Sequence, residues 1–301
     1  MNQNMEEEIF YSGFVSVIGR PNAGKSTLIN YILGEKVVIT SDKPQTTRNK
    51  IQCVYNGENS QIIFLDTPGM HKPKHKLGEK MVKAVDESLN EMDAILFVID
   101  VSVPFGKGET MLVERLARLS TPVILVMNKM DLVDEDLARE KTEKIKEKLS
   151  PESIHYISAL YGNNLVDLLG ELENLMPEGP KYYPEDQLID QPERFVVSEL
   201  IREKLLNYTQ EEIPHSVAVE IMLMENREDQ DLIDIEAVIY VERESQKKIV
   251  IGRRGKLLKK VGQEARRDIE NLLGSQIYLD LWVKNQKDWR NRERFLRELG
   301  Y

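Results

Sequence analysis

The first 180 residues alternate short, almost uninterrupted apolar runs with segments of helical periodicity. Runs such as Ala94–Val101 contain almost no polar side chain, which is typical of strands buried on both faces of a parallel sheet. We predict strands at Phe14–Ile18, Ile51–Tyr55, Gln61–Leu65, Ala94–Val101, Pro122–Met127 and Ile154–Ile157, and helices at Thr27–Leu33, Thr110–Leu119, Asp134–Leu149 and Leu165–Met176. This alternation predicts a doubly wound α/β domain with a mixed, mostly parallel sheet and a ligand site at the carboxyl ends of its strands.

The pattern changes in the second half of the chain. Pro177–Pro180 ends the first domain, and Pro184 and Pro192 stiffen the tract that follows. Beyond it we predict a helix at Glu193–Asn207, strands at Ser216–Leu223 and Ile233–Val241, an apolar run at Ile249–Ile251, a helix at Lys256–Leu273, a strand at Gln276–Val283 and a final helix at Asp288–Leu299. The predicted organisation is a domain at 1–180, a linker at 181–192 and a smaller α+β domain at 193–301.

Composition narrows the class of protein. The chain has 301 residues, of which 41% are hydrophobic and 31% charged, values that fit a globular protein with two cores. Its single cysteine, Cys53, excludes an intramolecular disulfide and suits a reducing compartment. The acidic start does not resemble a signal peptide, and no apolar run approaches 18 residues. We therefore expect a cytoplasmic protein that does not span a membrane.

Charge is distributed unevenly along the chain. The segment from Gln246 to Arg297 contains 15 Lys/Arg and six Asp/Glu, a net charge of +9, whereas the whole chain carries −10, so the remainder carries −19. A basic segment on an acidic body suggests a polyanionic partner for that segment. A solvated basic face is the alternative, and charge alone does not decide between them.

A candidate phosphate-binding loop follows the first predicted strand. Gly19–Ser26 matches G-x-x-x-x-G-K-[ST], a pattern whose backbone N–H groups wrap a polyphosphate at the positive end of the next helix. Lys25 is expected to reach the β- and γ-phosphates, and the Ser26 hydroxyl to ligate Mg²⁺. The predicted contact residues are Gly19, Arg20, Pro21, Asn22, Ala23, Gly24, Lys25, Ser26 and Thr27. The alternative, a chance glycine-rich turn, is disfavoured by the strand before and the helix after it.

A second motif, Asp66-Thr67-Pro68-Gly69, ends the third predicted strand. A carboxylate at a strand end beside a phosphate loop is placed to support Mg²⁺, and the Gly69 N–H can meet a γ-phosphate. By itself this tetrapeptide is also a good turn sequence. Its position after the phosphate loop is what favours the nucleotide-binding interpretation.

A third motif indicates which base is bound. Asn128-Lys129-Met130-Asp131 follows a buried strand, and the Asp131 carboxylate can accept hydrogen bonds from guanine N1–H and N2–H₂. Adenine lacks this donor pair, and a buried carboxylate left unpaired would reject it. Asn128 and Lys129 can brace the loop and cover the base. In Ser158-Ala159-Leu160, the Ala159 N–H can meet guanine O6.

A glycine-rich tetrad in the second half predicts contact with nucleic acid. Gly252-Arg253-Arg254-Gly255 lies between two helical segments, and KH domains clamp a nucleic-acid backbone with such a G-x-x-G loop. The element order helix–strand–strand–helix–helix–strand indicates a type II KH arrangement. The predicted RNA-binding residues are Ile251, Gly252, Arg253, Arg254, Gly255, Lys256 and Lys259. Trp289 is an additional candidate for stacking on a base, although anchoring the last helix is the favoured interpretation.

In this order and spacing, the motifs resemble those of the translation-factor-like GTPases, and the resemblance extends through the second half to the Era family of bacterial ribosome-assembly GTPases. Thr46-Thr47-Arg48 matches that family's effector loop. Further Era-like segments are Tyr183–Gln187, Arg194-Phe195, Ile201–Lys204 and Glu211–His215. The resemblance implies Mg²⁺-dependent GTP hydrolysis, with Ser26 and Thr47 as metal ligands. It also implies binding near the 3′ end of 16S rRNA during assembly of the 30S subunit.

One departure from the Ras pattern affects the expected mechanism. Met70 stands where Ras-type enzymes place a glutamine that orients the attacking water, and a thioether cannot do this. Related GTPases with an asparagine at the position of Asn22 bind K⁺ beside the phosphates. We hypothesise that Asn22 and the effector loop hold a K⁺ ion; a turn-forming role for Asn22 is the alternative. The expected catalytic residues are Lys25, Thr47, Asp66, Gly69 and Asn22.

The sequence is also compatible with other functions. The main alternative is a GTP-regulated protein that binds RNA, or signals at the inner face of the cell membrane, without a role in ribosome assembly. A basic stripe can also lie on an anionic membrane, which would give peripheral association. A small-molecule kinase is disfavoured because such enzymes lack the guanine-reading motif. A purely binding protein with a structural nucleotide is a further alternative, and we expect a monomer.

Overall fold

The computed structural model describes residues 9–69, 75–87, 89, 92–227 and 230–301, apart from the side chain at position 86. The chain forms two compact units. Among the described residues, the first unit contains 9–37, 49–69 and those of 83–190, and the second contains 38–48, 75–82 and those of 191–301. The second unit therefore takes in two segments from the first half of the sequence.

The first unit is built on a six-stranded sheet. Its strands are β1 (Tyr11–Ile18), β2 (Ile51–Asn56), β3 (Ser60–Asp66), β4 (Ala94–Asp100), β5 (Val123–Asn128) and β6 (Ser153–Ile157). Their spatial order is β2-β3-β1-β4-β5-β6, and every neighbouring pair is parallel except β2 with β3. The strands β3, β4 and β5 are almost fully buried, as their apolar runs predict. The predicted doubly wound α/β fold is confirmed.

Helices connect these strands. They are α1 (Lys25–Leu33), α2 (Lys76–Glu87), whose residues 76–82 belong to the second unit, α3 (Lys107–Leu116), α4 (Glu135–Lys146) and α5 (Leu165–Leu175). On one side, the core joins residues of β1, β4 and β5 to Leu112 and Leu116 of α3 and to Ala138 and Ile145 of α4. We did not predict α2 from the sequence. Because β1, β3 and β5 run parallel, the loops that follow them meet at one edge of the sheet.

The predicted linker packs in the first unit over most of its length. The side-chain oxygen of Gln61 accepts hydrogen bonds from the backbone N–H groups of Tyr182 and Tyr183, at 2.8 and 2.9 Å. The backbone N–H of Val54 donates to the carbonyl of Leu188 at 2.9 Å. These contacts join residues 182–188 to β2 and β3.

The second unit has the topology of a type II KH domain, as predicted. Its elements are α6 (Glu193–Tyr208), α7 (Ile213–Ser216), β7 (Ala218–Asn226), β8 (Leu232–Val241), α8 (Glu244–Ile251), α9 (Lys256–Leu273), β9 (Gln276–Asn285) and α10 (Glu293–Glu298). In the three-stranded sheet, β8 is central, antiparallel to β7 and parallel to β9. Apolar side chains of α6, α8 and α9 pack on one face of this sheet around Ile235, Ala237 and Ile239.

The predicted final helix at Asp288–Leu299 is wrong in its extent. Asp288 has φ +57°, a single 3₁₀ turn covers Trp289–Asn291, and Arg292 is extended before α10 begins. The reason is Trp289, whose indole is fully buried and donates from Nε1 to the carbonyl of Ser216 at 2.8 Å. Trp289 therefore anchors the end of the chain, which confirms the favoured interpretation, and the alternative of base stacking is wrong.

Within the described ranges, no helix is both long and apolar enough to cross a bilayer.

The buried indole of Trp289 leads to a stability prediction. Trp289→Ala removes a fully buried side chain and leaves the Ser216 carbonyl without its donor, so we expect a loss of about 3–5 kcal/mol in the free energy of unfolding. Urea denaturation followed by circular dichroism measures it. Trp282→Ala is the matched control, because that indole is 58% exposed and its loss should cost no more than about 0.5 kcal/mol. Equal losses in the two variants would contradict the assigned packing.

Candidate nucleotide site and RNA-binding loop

The loop between β1 and α1 has a conformation that restricts which residues fit. Asn22 and Gly24 have φ values of +65° and +97°. A Cβ on Gly19 would lie 2.3 Å from the carbonyl oxygen of Val98, and one on Gly24 would lie 2.2 Å from Nδ2 of Asn128. Both motif glycines are therefore required by close approach of neighbouring atoms, as well as by backbone geometry.

Lys25 lies inside this loop. It is buried, and its Nζ donates to the carbonyls of Gly19 and Arg20 at 3.3 and 3.1 Å. Burial lowers the pKa of Lys25, and the nearby Asp66 carboxylate only partly opposes this effect. A negatively charged group in the loop would favour the protonated amine.

The Asp66–Gly69 segment lies beside the phosphate-loop motif. Ser26 Oγ donates to Asp66 Oδ2 at 2.9 Å, and Asp66 is fully buried at the end of β3. Thr67 Oγ1 donates to the carbonyl of Val17 at 2.8 Å, which ties this segment to β1. A Cβ on Gly69 would lie 2.5 Å from the backbone nitrogen of Pro21. The first two motifs thus form one cluster.

Asn128 joins the third motif to the other two. Its Nδ2 donates to the carbonyl of Ala23 at 2.8 Å, and its Oδ1 accepts from the backbone N–H of Ala159 at 2.9 Å. One side-chain amide thereby spans the phosphate loop, the end of β5 and the loop after β6. Asp131 Oδ1 accepts a hydrogen bond from Ser158 Oγ at 2.5 Å, while Leu160 is largely exposed.

Two acidic residues that the sequence analysis missed support the site. Lys129, at φ +70°, donates from Nζ to Asp100 Oδ2 at 2.6 Å. Burial disfavours the ionised Asp100, but hydrogen bonds from Lys129 and Ser102 outweigh burial and lower its pKa. Asp100 ends β4, so the strand-end argument used for Asp66 applies to it as well.

The second missed residue, Glu109, is a buried carboxylate near the start of α3. Its Oε1 accepts from Arg20 at 2.8 Å and its Oε2 from the backbone N–H of Gly106 at 2.9 Å. Glu109 therefore holds the Arg20 side chain of the phosphate loop. No local sequence signal marks this residue, because its partner is 89 positions away.

The effector segment, residues 38–48, belongs to the second unit. Arg48 is 3% exposed and donates to the carbonyls of Val217 and Pro214 at 2.7 and 3.1 Å. Its guanidinium lies 5.8 Å from the ring centroids of both Trp289 and Tyr301. Burial lowers the pKa of Arg48. A cation this enclosed is held by several partners at once.

Further contacts hold the rest of the effector segment. Ile39 is part of the apolar core of the second unit, and the backbone N–H of Thr40 donates to Glu203 Oε1 at 3.0 Å. Arg202, which is fully buried and paired with Glu199, donates to the carbonyl of Thr46. The structure thus groups Thr47 with the second unit, whereas the predicted metal ligand Ser26 lies in the first.

The G-x-x-G loop joins α8 to α9 through one 3₁₀ turn. Gly252, Arg254 and Gly255 have φ values of +73°, +54° and +73°. A Cβ on Gly252 would lie 2.7 Å from Cβ of Leu257, whereas one on Gly255 would meet nothing within 4 Å. Close packing therefore explains only the first glycine, and the second leaves open space above the backbone.

The predicted RNA-binding cations are exposed around this loop. They are Arg253, Arg254, Lys256 and Lys259, and none of them forms an ion pair with any residue that the structure describes. Ile251 and Gly252 are partly buried beside them. The arrangement presents uncompensated positive charge next to a backbone that a ligand can approach closely.

Comparisons with known proteins support the domain assigned to each half of the chain. Residues 14–129 match the family described as 50S ribosome-binding GTPase, and residues 212–290 match the KH domain family. The chain is 55% identical to GTPase Era of Alkaliphilus oremlandii, covering 97% of this chain and 99% of that protein. It is 54% identical to GTPase Era of Staphylococcus epidermidis, covering 96% and 97%. The chain belongs to the GTPase Era family.

Solved Era structures share the whole fold. A crystal structure of Era with MgGDPNP and nucleotides 1506–1542 of 16S ribosomal RNA matches with a TM-score of 0.91 and 40% identity, covering 97% of this chain and 99% of that one. A crystal structure of an Aquifex aeolicus Era point variant bound to GDP·AlF₄⁻ also matches at a TM-score of 0.91, with 39% identity and the same coverage. Both Era relatives contain a guanine nucleotide, and one contains RNA.

One prediction for this Era-family chain falls on a residue outside the described part. That residue is Met70, which replaces the water-orienting glutamine of Ras.

The contact between Gly24 and Asn128 generates a test of the Era-family nucleotide site. Gly24→Ala and Gly34→Ala each put a Cβ on a residue of positive φ at one end of α1. Gly34 has open space, so its variant should lose about 1 kcal/mol of stability and keep nucleotide affinity. Gly24→Ala must also displace Asn128, so we expect GDP affinity to fall about tenfold or more. Equilibrium titration with a fluorescent GDP analogue measures the difference, and equal affinities would contradict it.

Proposed function

We propose that this protein is a GTP-hydrolysing switch that binds 16S rRNA near its 3′ end and assists assembly of the 30S subunit. The observation that carries the proposal is the placement of residues 38–48. In the sequence they lie between α1 and β2 of the nucleotide-binding unit, yet they pack in the unit that contains the G-x-x-G loop. A segment with this placement can couple the nucleotide site to the G-x-x-G loop.

The nucleotide site we propose uses the motif cluster of the first unit. The backbone of Gly19–Thr27 and the Lys25 amine would hold the phosphates, and Asp66–Gly69 would flank the γ-phosphate. Asp131 would read guanine, with Asn128 and Lys129 bracing the loop and Ser158–Leu160 closing it. The two hydrogen bonds of Asn128 support this assignment, because they bring the phosphate and base segments together.

The residues present fit a magnesium ion. Ser26 and Asp66 offer a hydroxyl and a carboxylate whose oxygens are 2.9 Å apart, and Mg²⁺ prefers such hard oxygen ligands. When bound, this ion would neutralise charge that develops on the transferred phosphoryl group. Thr47 is the second proposed ligand and would join this set from the effector segment. We propose Lys25, Asn22, Asp66, Thr47 and Gly69 as the catalytic group.

The proposed RNA site is the G-x-x-G loop with Ile251 and the cations Arg253, Arg254, Lys256 and Lys259. Phosphate contacts of this kind set affinity and orientation. The exposure of these cations and the open space at Gly255 support the assignment. The solved complex of Era with 16S rRNA nucleotides supports the choice of RNA.

In the proposed cycle, GTP would order the effector segment at the nucleotide, and hydrolysis would return it to its site in the second unit. The buried cations Arg48 and Arg202 hold the effector segment where it packs in the second unit. Linkage then requires that RNA change nucleotide affinity by the factor by which nucleotide changes RNA affinity.

We further propose that the protein is a monomer that acts in the cytoplasm, with residues 1–180 as the GTP-binding domain, 181–192 as the linker and 193–301 as the RNA-binding domain. Peripheral association with the inner face of the cell membrane, through the basic segment, is the second candidate. Vesicles containing anionic lipid that displace the RNA would favour it.

The coupling is tested by measuring RNA affinity in two nucleotide states. The probe is a fragment equivalent to nucleotides 1506–1542 of 16S rRNA, and its Kd is measured with GDP and with GDPNP. We expect the two values to differ about 5- to 150-fold. Arg48→Ala should move their ratio towards one, because it removes the buried anchor of the effector segment.

Two variants control this measurement. Lys43→Ala removes a cation from the same segment that pairs with its neighbour Asp42, and it should keep the wild-type ratio. Gly252→Asp should abolish RNA binding and leave GDP affinity unchanged. A wild-type ratio of one, or equal effects of Arg48→Ala and Lys43→Ala, would reject coupling through this segment.

The proposed role of K⁺ has its own test. GTP turnover is compared in KCl and NaCl at equal ionic strength, and we expect it to be about tenfold or more faster in KCl. Asn22 has φ +65°, which glycine also adopts, so Asn22→Gly keeps the turn and removes only the side chain. If Asn22 helps to hold the ion, this variant loses the stimulation. Full stimulation in Asn22→Gly would leave Asn22 as a turn former.

A further inference from the structure

The outer face of the sheet in the second unit is only partly covered. Cross-strand partners share a face, so the register places Glu225, Asp234 and Tyr278 on one row and Glu236 and Asp280 on the next. A third row pairs Val238 with Trp282. At one end of this face, Ala218, Val238 and Tyr240 pack with Trp289 and Leu296 and with Leu77 and Met81 of α2. We call the remainder the open sheet face; its residues are Glu225, Asp234, Glu236, Tyr278, Asp280 and Trp282.

Two aromatic side chains on the open sheet face are exposed to solvent. Tyr278 and Trp282 are 57% and 58% exposed and lie four residues apart on β9, so both project from the same side. The Trp282 Nε1 donates to Asp280 Oδ2 at 3.0 Å, which holds a carboxylate beside the indole. Exposed aromatic residues of this size, grouped on one face, are typical of a binding surface.

The open sheet face carries four carboxylates, whereas Arg227 lies beside Tyr278 and Lys284 occupies the next row of β9 beyond Trp282 on the same side. Glu225 lies opposite Asp234, and Glu236 lies opposite Asp280. Like charges in directly opposed positions are unfavourable. Asp234 has an ion-pair partner, Arg227, whereas Glu225, Glu236 and Asp280 pair with no cation in the part of the chain that the structure describes. The repulsion at these rows is relieved if a cation binds.

Arg227 shows how a cation fits this face. Its guanidinium carbon lies 5.9 Å from the Tyr278 ring centroid, and its Nε donates to Asp234 Oδ2 at 2.9 Å. The next two rows also combine carboxylates with an aromatic ring. Glu236 and Asp280 lie one row beyond Tyr278, and Trp282 lies two rows beyond it. Indole is the strongest cation–π partner among the side chains. The second combination has the groups that bind a guanidinium and lacks an arginine partner among the described residues.

We propose that the open sheet face binds an arginine-rich segment of a partner protein. One guanidinium lies over Trp282 and pairs with Glu236 and Asp280, and neighbouring cations pair with Glu225. The carboxylates would repel RNA phosphates, so this surface is distinct from the G-x-x-G loop. A second copy of the chain is a poor partner, because a two-fold interface would place these acidic rows against each other.

Tryptophan emission of the full-length protein tests the proposal. The chain has two tryptophans, and Trp289 is fully buried while Trp282 is exposed, so acrylamide quenching reports mainly on Trp282. The probe is a nonapeptide of arginine. We expect saturable binding that lowers the Stern–Volmer constant about twofold or more, as the indole becomes covered. A nonapeptide of glutamate should have no effect.

Charge-reversal variants locate the site. The double variant Glu236→Lys and Asp280→Lys should weaken peptide binding about tenfold, from the loss of two ion pairs and the added repulsion. The control is Glu147→Lys with Glu152→Lys, which changes the charge equally at two exposed positions of the first unit and should alter the Kd less than about twofold. The substitutions Glu236→Lys and Asp280→Lys can disturb the sheet, so Trp282→Ala is measured too. Its peptide affinity, measured by anisotropy of a labelled peptide, should also be weaker.

Three outcomes would overturn the proposal. The first is equal weakening by the two charge-reversal variants, which indicates attraction to overall charge. The second is protection of Trp282 by a 16S rRNA fragment in place of the peptide. The third is protection that rises with protein concentration alone, with dimers in sedimentation, which indicates self-association.

Discussion

The side-chain amide of Asn128 is the contact on which the nucleotide site depends. An amide offers a donor and an acceptor a short distance apart, and here one bonds the phosphate loop at Ala23 while the other bonds the Ala159 loop. A Cβ at position 24 would lie 2.2 Å from Asn128 Nδ2, so this contact requires glycine there. Three segments far apart in sequence are thereby held in one geometry. A parallel sheet makes this possible, since it brings the ends of β1, β5 and β6 to one edge.

Buried cations have a comparable role in the second unit. Arg48 and Arg202 are both removed from solvent, which is costly unless their charges are matched by hydrogen bonds and carboxylates. Their partners are backbone carbonyls, Glu199 and aromatic rings, and together they fix residues 38–48 against the KH core. A buried cation stabilises the packing while all its partners are in place, and it destabilises the packing once one partner is lost. This property suits a segment that changes its position in the proposed cycle.

The same unit separates its charges by face. Exposed cations surround the G-x-x-G loop, whereas carboxylates and two aromatic rings occupy the open sheet face. The two surfaces select partners of opposite charge, and neither competes with the nucleotide for its residues. A small domain can in this way contact RNA at its cationic loop and an arginine-rich protein segment at its acidic face at the same time.

Much of the molecule follows from local sequence. The apolar runs determine the strands of the first unit, since a strand buried on both faces tolerates few polar residues. The three nucleotide motifs and the G-x-x-G loop are recognisable because their chemistry requires particular residues at short spacings. Only the tertiary structure decided the rest: that the Trp289 indole meets the Ser216 carbonyl, that Glu109 holds Arg20, and that residues 38–48 pack with the KH core. These contacts join positions many tens of residues apart, and no local periodicity encodes which distant side chain a buried charge or indole will meet.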